Sequence, residues 1–305
     1  MLFRSADAIA EIDGLTIRER LDQLDLDREA RAVLIAELEG LAHGSIDVAG
    51  AFAAHRWHAL AGHSLRLIQE AGGGDITLAE GTRGLITPIW AEAAAETRFD
   101  TPVAGIAQHG DRVVATARSG ETFEARAAVV TAPLNVLHTL TFEPALSPVK
   151  REAIERGQAS SGIKVFIRAS GPAEFCSGLH PDHPFGYLVT QWIHDDGTQT
   201  MIGFGPDHSA CRIEDLAWLQ EQVDRIIPGY TVLDATAHDW QADEFSQGTW
   251  CVHKPGWYTR YHAAMQEPEG RVILASADIA NGWAGFMDGA IESGIRAGRW
   301  AAQQT

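Results

Sequence analysis

The run from Leu274 to Gly294 constrains this chain most. It opens with Leu-Ala-Ser-Ala-Asp278, passes through a turn holding Gly282, Trp283 and Gly285, and leads into a helix-patterned tail. A buried strand that feeds a helix through so tight a turn leaves the first helical N–H groups without intrahelical partners. It also aims the positive end of the helix dipole past the end of the strand. That end of the fold is therefore an α/β layer whose mouth suits an anion or an electron-rich ring edge.

The remainder divides by texture. Between residues 15 and 70, Leu21, Leu24, Leu34, Leu38 and Leu41 give helical spacing, and Asp47 to Glu70 reads as a second long helix before the flexible break Gly72-Gly-Gly74. A short strand is expected from Ile76, then a turn at Gly81-Thr-Arg-Gly84 and a helix to about Glu96. Strands follow at Thr101 to Ala107, Arg112 to Ala117 and Glu121 to Ala125; the second alternates as a half-exposed strand should. Ala127-Ala-Val-Val-Thr131 is apolar throughout, the texture of a fully buried parallel strand. A helix at 148–157, strands at Lys164 to Ala169, Gly186 to Gln191 and Thr200 to Gly205, a helix at Glu214 to Ile226 and a strand at Val232 to Trp240 complete the order. Helices, a mixed sheet, a second sheet and a return to the first predict a mixed α/β protein of two interleaved domains.

Composition narrows the partners. The chain has 305 residues and a net charge of −17, which argues against nucleic acid or an anionic membrane surface. No apolar run approaches the roughly 20 residues of a membrane span, and Met1-Leu-Phe-Arg lacks the pattern of a secretory leader. Three separated cysteines form neither a disulfide framework nor a zinc pattern, so a reduced, cytoplasmic setting is expected. His55, His58 and His63 lie on one predicted helix, but no carboxylate completes a metal set, and no metal is expected.

Several segments, in order, resemble the flavin-dependent amine oxidases, the monoamine and polyamine oxidase family. They are Gly81-Thr-Arg-Gly84, Thr101-Pro-Val103, Val129-Val-Thr-Ala132-Pro133, Gly162-Ile-Lys164-Val, Phe245-Ser-Gln-Gly248-Thr249-Trp250 and the C-terminal run. The last two are most similar to 6-hydroxynicotine oxidase-like members. The resemblance implies an FAD-binding doubly wound domain at 74–155 and 243–305, interleaved with a substrate domain of mixed sheet and helices at 1–73 and 156–242. It implies Lys164 as the active-site lysine, holding a water against the flavin for the oxygen half-reaction. Trp250 and Phe286 become two walls of an aromatic cage that orients the amine. Val103, Ala132, Pro133, Trp250, Ser276, Asp278, Trp283, Gly285, Phe286 and Met287 become cofactor contacts. Some members attach FAD through a cysteine where this chain has Thr249, so non-covalent FAD is implied.

One family element is missing from the sequence: no GxGxxG stands between a strand and a helix. The FAD-binding domain is therefore expected to be incomplete, from truncation or because a separate chain supplies the N-terminal dinucleotide-binding unit. The implied reaction is oxidation of a secondary or cyclic amine by hydride transfer to FAD, with O2 as acceptor giving H2O2. The alternative is a non-catalytic subunit or relic of the same fold that binds a partner protein. Taken without the resemblance, Lys164 is a solvated strand residue, Asp278 caps a turn, and Trp192, Trp218 and Trp240 belong to the core.

Overall fold

The computed structural model describes residues 6–64, 66–67, 78–93, 95–181 and 183–304. The break expected at Gly72-Gly-Gly74 and the start of the strand expected at Ile76 lie outside the described residues.

Short helices occupy the N-terminal part: α1 Ala6–Asp13, α2 Ile17–Asp22, α3 Arg28–Ala42 and α4 Ala51–Leu60. Local chemistry sets their ends. Thr16 and Glu19 form a reciprocal capping box on α2, and the Asp27 side chain accepts from the Ala30 N–H to start α3. Ile17, Leu21, Ala42, Ile46, Ala53 and Trp57 bury one face of this layer. The long helix expected from Asp47 to Glu70 is shorter than its sequence suggested. Residues 45–49 form a turn closed by Ser45 and Asp47, and Gly50 donates its N–H to the distant His253 carbonyl at 2.8 Å, so the helix begins only at Ala51. It ends at Leu60, followed by left-handed backbone at Gly62 and His63. After it, α5 spans Thr82–Ala93, and none of its residues is buried.

Strands β1 Val103–His109, β2 Arg112–Ala117, β3 Thr122–Ala125 and β5 Thr141–Glu143 form a sheet in the order β3-β2-β1-β5, antiparallel except where β5 runs parallel to β1. Strand β4, Ala128–Val130, pairs in parallel with β11, Val272–Leu274, placing Val129 opposite Ile273. The parallel pairing matches the sequence reading, but the full burial does not: Val129 is 39% exposed. One neighbouring strand covers one edge of β4, and among the described residues no strand pairs with the other.

The third sheet has the order β10-β6-β9-β8-β7, all antiparallel, from β6 Ile163–Ser170, β7 Ser177–Leu179, β8 Tyr187–Ile193, β9 Thr198–Gly205 and β10 Thr231–Ala237. Its inner face packs on the amphipathic helix α7, Leu216–Ile226, through Val165, Ile167, Ala169, Leu188, Leu219 and Val223. Helix α6, Pro148–Arg156, and the short helices α8 Trp257–Arg260 and α9 His262–Gln266 close a further core around Leu134, Trp257, Tyr261 and Met265. Helix α10, Met287–Ala302, follows the last turn. It buries Gly289, Ser293 and Ala297 and exposes Met287, Ile291 and Ile295.

Trp192 and Trp240, assigned to the core from sequence, are 50% and 47% exposed. Trp192 faces outward beside a register irregularity in β8, and Trp240 lies beyond the end of β10, so neither has a facing layer to bury it. Trp218 packs against the core as expected.

Candidate active site

The cavity of interest, about 370 Å³, opens where the third sheet meets the ends of the parallel pair. Strand β6 builds one wall by simple alternation. Ile163, Val165, Ile167 and Ala169 point into the core, so Lys164 points the other way, into the cavity. Register sets its neighbour: Lys164 lies opposite Phe204 on β9, and its Nζ sits 4.9 Å from that ring's centre. The Trp250 ring lies on another side at 5.0 Å. Two aromatic faces thus hold the ammonium. Burial is the cause that lowers the Lys164 pKa from its ordinary value, so its neutral form is more accessible than that of a surface lysine.

Trp250 is fixed from behind. Its Nε1–H donates to the Leu41 carbonyl at 3.0 Å, and the His43 ring stacks on it at 4.2 Å with 9° between planes. His43 also meets the Thr249 hydroxyl through Nδ1 at 2.9 Å. Burial pushes the His43 pKa down to about 4; the Ile163 backbone partly counters it, and the charge of Lys164 adds a smaller lowering. The ring is therefore neutral at ordinary pH.

The opposite wall comes from the ends of β4 and β11. Asp278 is half-buried in the turn after β11 and accepts the Leu134 N–H at 2.7 Å, tying the two strand ends together. Burial raises its pKa, partly countered by that N–H. The Ser276 side chain accepts the Asp278 N–H, and the Asp278 carbonyl meets the buried His253 ring at 2.7 Å. Helix α4 clamps the next turn: Arg56 donates to the carbonyls of Asn281 and Gly282, and Trp57 Nε1–H to that of Ala284. The turn ends at Phe286, which gives no side-chain cap to α10, so the first amides of that helix stay available. Gly285 has a φ of +85°, and a Cβ there would lie 2.9 Å from the Cys251 carbonyl oxygen; only glycine permits this approach. Beneath it, Cys251 is fully buried, which raises its thiol pKa well above the ordinary value.

Of the residues singled out in the sequence, Lys164, Trp250, Pro133 and Asp278 line the cavity together. Ala132 precedes Pro133 in the same strand-end loop. Trp283 and Phe286 pack edge to face at 5.1 Å, and Phe286 also meets Trp57, outside the cavity lining. Met287 is exposed at the start of α10, and Val103 stands at the exposed start of β1, apart from the cavity. Sequence reading missed other lining residues. Asn135 and Gln158 form a floor that Ser160 backs from outside the lining: Gln158 N–H donates to Asn135 Oδ1, Gln158 Nε2 to Ser160 Oγ, and Ser160 Oγ accepts the Thr249 N–H. Trp240, His43 and Phe204 complete the surroundings of Lys164 and Trp250. None of these had a local signal: Phe204 is set beside Lys164 by the pairing of β6 with β9, two strands that β7 and β8 separate in sequence.

Comparison with known proteins fits this geometry. The family model described as flavin-containing amine oxidoreductase matches residues 11–299. A pseudooxynicotine dehydrogenase of Pseudomonas sp is 33% identical over 300 residues, which is 97% of this chain and 60% of that protein. The (S)-6-hydroxynicotine oxidase of Paenarthrobacter nicotinovorans is 28% identical, covering 92% of this chain and 64% of the relative. A redesigned putrescine oxidase superposes with a TM-score of 0.81 at 18% identity, over 97% of this chain and 69% of its own. The chain thus spans about three fifths of the length of these sequence relatives, and the structural likeness shows a shared fold.

Proposed function

The chain belongs to the flavin-containing amine oxidoreductases, and from that premise we propose that it oxidises a secondary or cyclic amine with non-covalently held FAD. The observation that carries this reading is Lys164, half-buried between two aromatic faces, with its charged form disfavoured by loss of water. The cavity suits a flavin. It has an aromatic and apolar wall, a half-buried carboxylate at the strand ends, and a helix start whose amides no side chain occupies. FAD, when bound, supplies the two-electron acceptor. Trp250 orients the amine against it, and Phe286, Trp283 and Met287 flank the cofactor at the helix start. Asp278 and the amides after Phe286 would position the cofactor, and Ala132, Pro133, Ser276 and Gly285 would shape its bed; Val103, apart from the cavity, would meet only a part of FAD that reaches beyond it. Lys164 holds a water and a proton at Nζ for the step that involves O2 and yields H2O2. The burial of Cys251, and a threonine at 249, support non-covalent attachment.

The names of two relatives, a pseudooxynicotine dehydrogenase and a 6-hydroxynicotine oxidase, support cyclic or secondary amines next to a pyridine ring as first substrates. The test is anaerobic mixing of FAD-loaded protein with nicotine-like amines. Bleaching of the flavin band on amine addition, with peroxide on admitting air, is the expected result. A band that no such amine bleaches removes the reading. Bleaching that only a dye acceptor reverses removes its oxidase half.

A separate observation favours a second element. The edge of β4 that no strand pairs with among the described residues, with Val129 exposed, and the apolar stripe Met287, Ile291 and Ile295 on α10 suit further polypeptide. We read this as the seat of a separate chain supplying the GxGxxG dinucleotide-binding unit. Co-expression with a GxGxxG-bearing polypeptide from an adjacent reading frame is expected to raise retained flavin to stoichiometric levels. Stoichiometric retention without it removes this element.

A further inference from the structure

His43 touches the segments that hold Lys164, Phe204 and Trp250. Its backbone ends α3 in the left-handed region, with φ and ψ of 47° each. Its carbonyl accepts from Ser161 N–H at 3.0 Å and Gly162 N–H at 2.8 Å, fixing the chain just before Lys164. Its ring lies flat on Trp250, bonds Thr249 and meets Phe204 edge-on with centroids 6.2 Å apart. The space is closed on the remaining side: a Cβ on Gly162 would fall 2.6 Å from the His43 Cδ2, so glycine there lets the imidazole lie between strand and indole. Nε2 has no partner with hydrogen-bond geometry, and the side chain is 1% exposed. A buried polar ring with one nitrogen unsatisfied is costly to keep, so packing alone does not explain a histidine here.

From these contacts we infer that His43 is a positioning residue that sets the plane of the Trp250 indole and, through it, the place of the Lys164 amine. The imidazole does so in two ways. Its face stacks on the indole and fixes the tilt of that ring, while Nδ1 holds Thr249 and so fixes the backbone carrying Trp250. Neither contact requires His43 to meet substrate or cofactor. The placement stands on this chain's own geometry; only its effect on turnover rests on the amine-oxidation reading.

The chain has nine tryptophans, so selective 15N labelling yields nine indole N–H signals, with that of Trp250 assigned through Trp250→Phe. In His43→Ala the Trp250 signal is expected to shift and lose protection from hydrogen exchange. The Trp57 indole, bonded to Ala284 on the other side of the helical layer, is expected to stay in place. In His43→Phe, which restores a flat ring, most of the shift is expected to return. Where His43→Ala fails to fold, as collapse of all nine signals shows, His43→Gln keeps a polar group without a ring and serves the same purpose. A Trp250 signal that is unmoved in folded Ala or Gln variants overturns the inference, as does an equal displacement with Phe. In FAD-loaded protein, His43→Ala is expected to lower kcat/KM for the amine by roughly ten- to a hundredfold, the scale on which small misplacements act. The Phe variant is expected to lose much less. If the protein oxidises no amine, the indole signals still decide the role of His43, so the two failures are separable.

Discussion

The third sheet and the parallel pair β4–β11 are built from similar apolar residues, yet they are finished differently. In the third sheet, Val165, Ile167 and Ala169 are completely buried, because antiparallel neighbours flank β6 on both edges and α7 covers the inner face. In the pair, Val130 and Leu274 are buried while Val129 is exposed, and among the described residues each strand has one strand neighbour. Parallel strands ordinarily sit inside larger sheets covered on both faces. Both regions wall the same cavity, Lys164 from the closed sheet and Pro133 and Asp278 from the ends of the open pair. The position of the lysine is therefore held by a completed core, and that of the carboxylate by a pair of strands that no further strand joins among the described residues. Apolar texture states how much burial a strand is suited to; how much it receives depends on neighbours.

Substitutions in the two regions sharpen this contrast, and the largest effect belongs to the closed sheet. Leu188→Ala, at a fully buried position on β8 within that sheet, is expected to lower stability by about 2–5 kcal/mol in denaturant unfolding. In activity, Lys164→Met is expected to slow flavin reoxidation by O2 by about a hundredfold in stopped-flow measurements, with amine reduction much less affected. Unchanged oxygen kinetics remove that role.

Acid comes next. Burial lowers the pKa of His43, His183 and His262 to about 4, against about 6.5 when unfolded. Between those values the unfolded chain binds more protons, so stability is retained above pH 6.5 and falls as pH drops towards 4, by about 1–3 kcal/mol for each histidine. Thermal unfolding across this range checks the slope, and His43→Phe should make it shallower. Trp250→Ala is expected to reduce kcat/KM by about tenfold, mostly through KM if the ring acts as a wall for the amine. The smallest effect belongs to the open edge. Val129→Ala should cost less than about 1 kcal/mol, since little surface is withdrawn from water there. A cost as large as that of Leu188→Ala breaks the comparison.

Regular structure was legible wherever period and punctuation agreed. The strand at Arg112–Ala117, the helix closed before Pro228 and the strand-turn-helix after Leu274 fell close to their expected bounds. Boundaries governed by distant partners were hidden. The start of α4 depends on Gly50 bonding His253, some 200 positions later, and no local pattern marks that contact. The site was half legible for the same reason. Lys164, Trp250 and Asp278 stand in recognisable runs, whereas His43, Gln158 and Trp240 reach the cavity through tertiary packing alone. A lone histidine at a helix end has many bland explanations, and only the ring stacked on it distinguishes this one.

The contact between Gly285 and Cys251 bears on self-preservation. An enzyme that discharges peroxide exposes its own sulfur to the product. Thiolates react with peroxide far faster than thiols, and accessible ones are spent first. Cys251 lies one residue from Trp250, yet it is buried, its backbone packs closely under Gly285, and burial with Asp278 nearby keeps its proton on. Under the proposed oxidase reading, that burial would spare the sulfur next in sequence to Trp250 from peroxide released in the cavity.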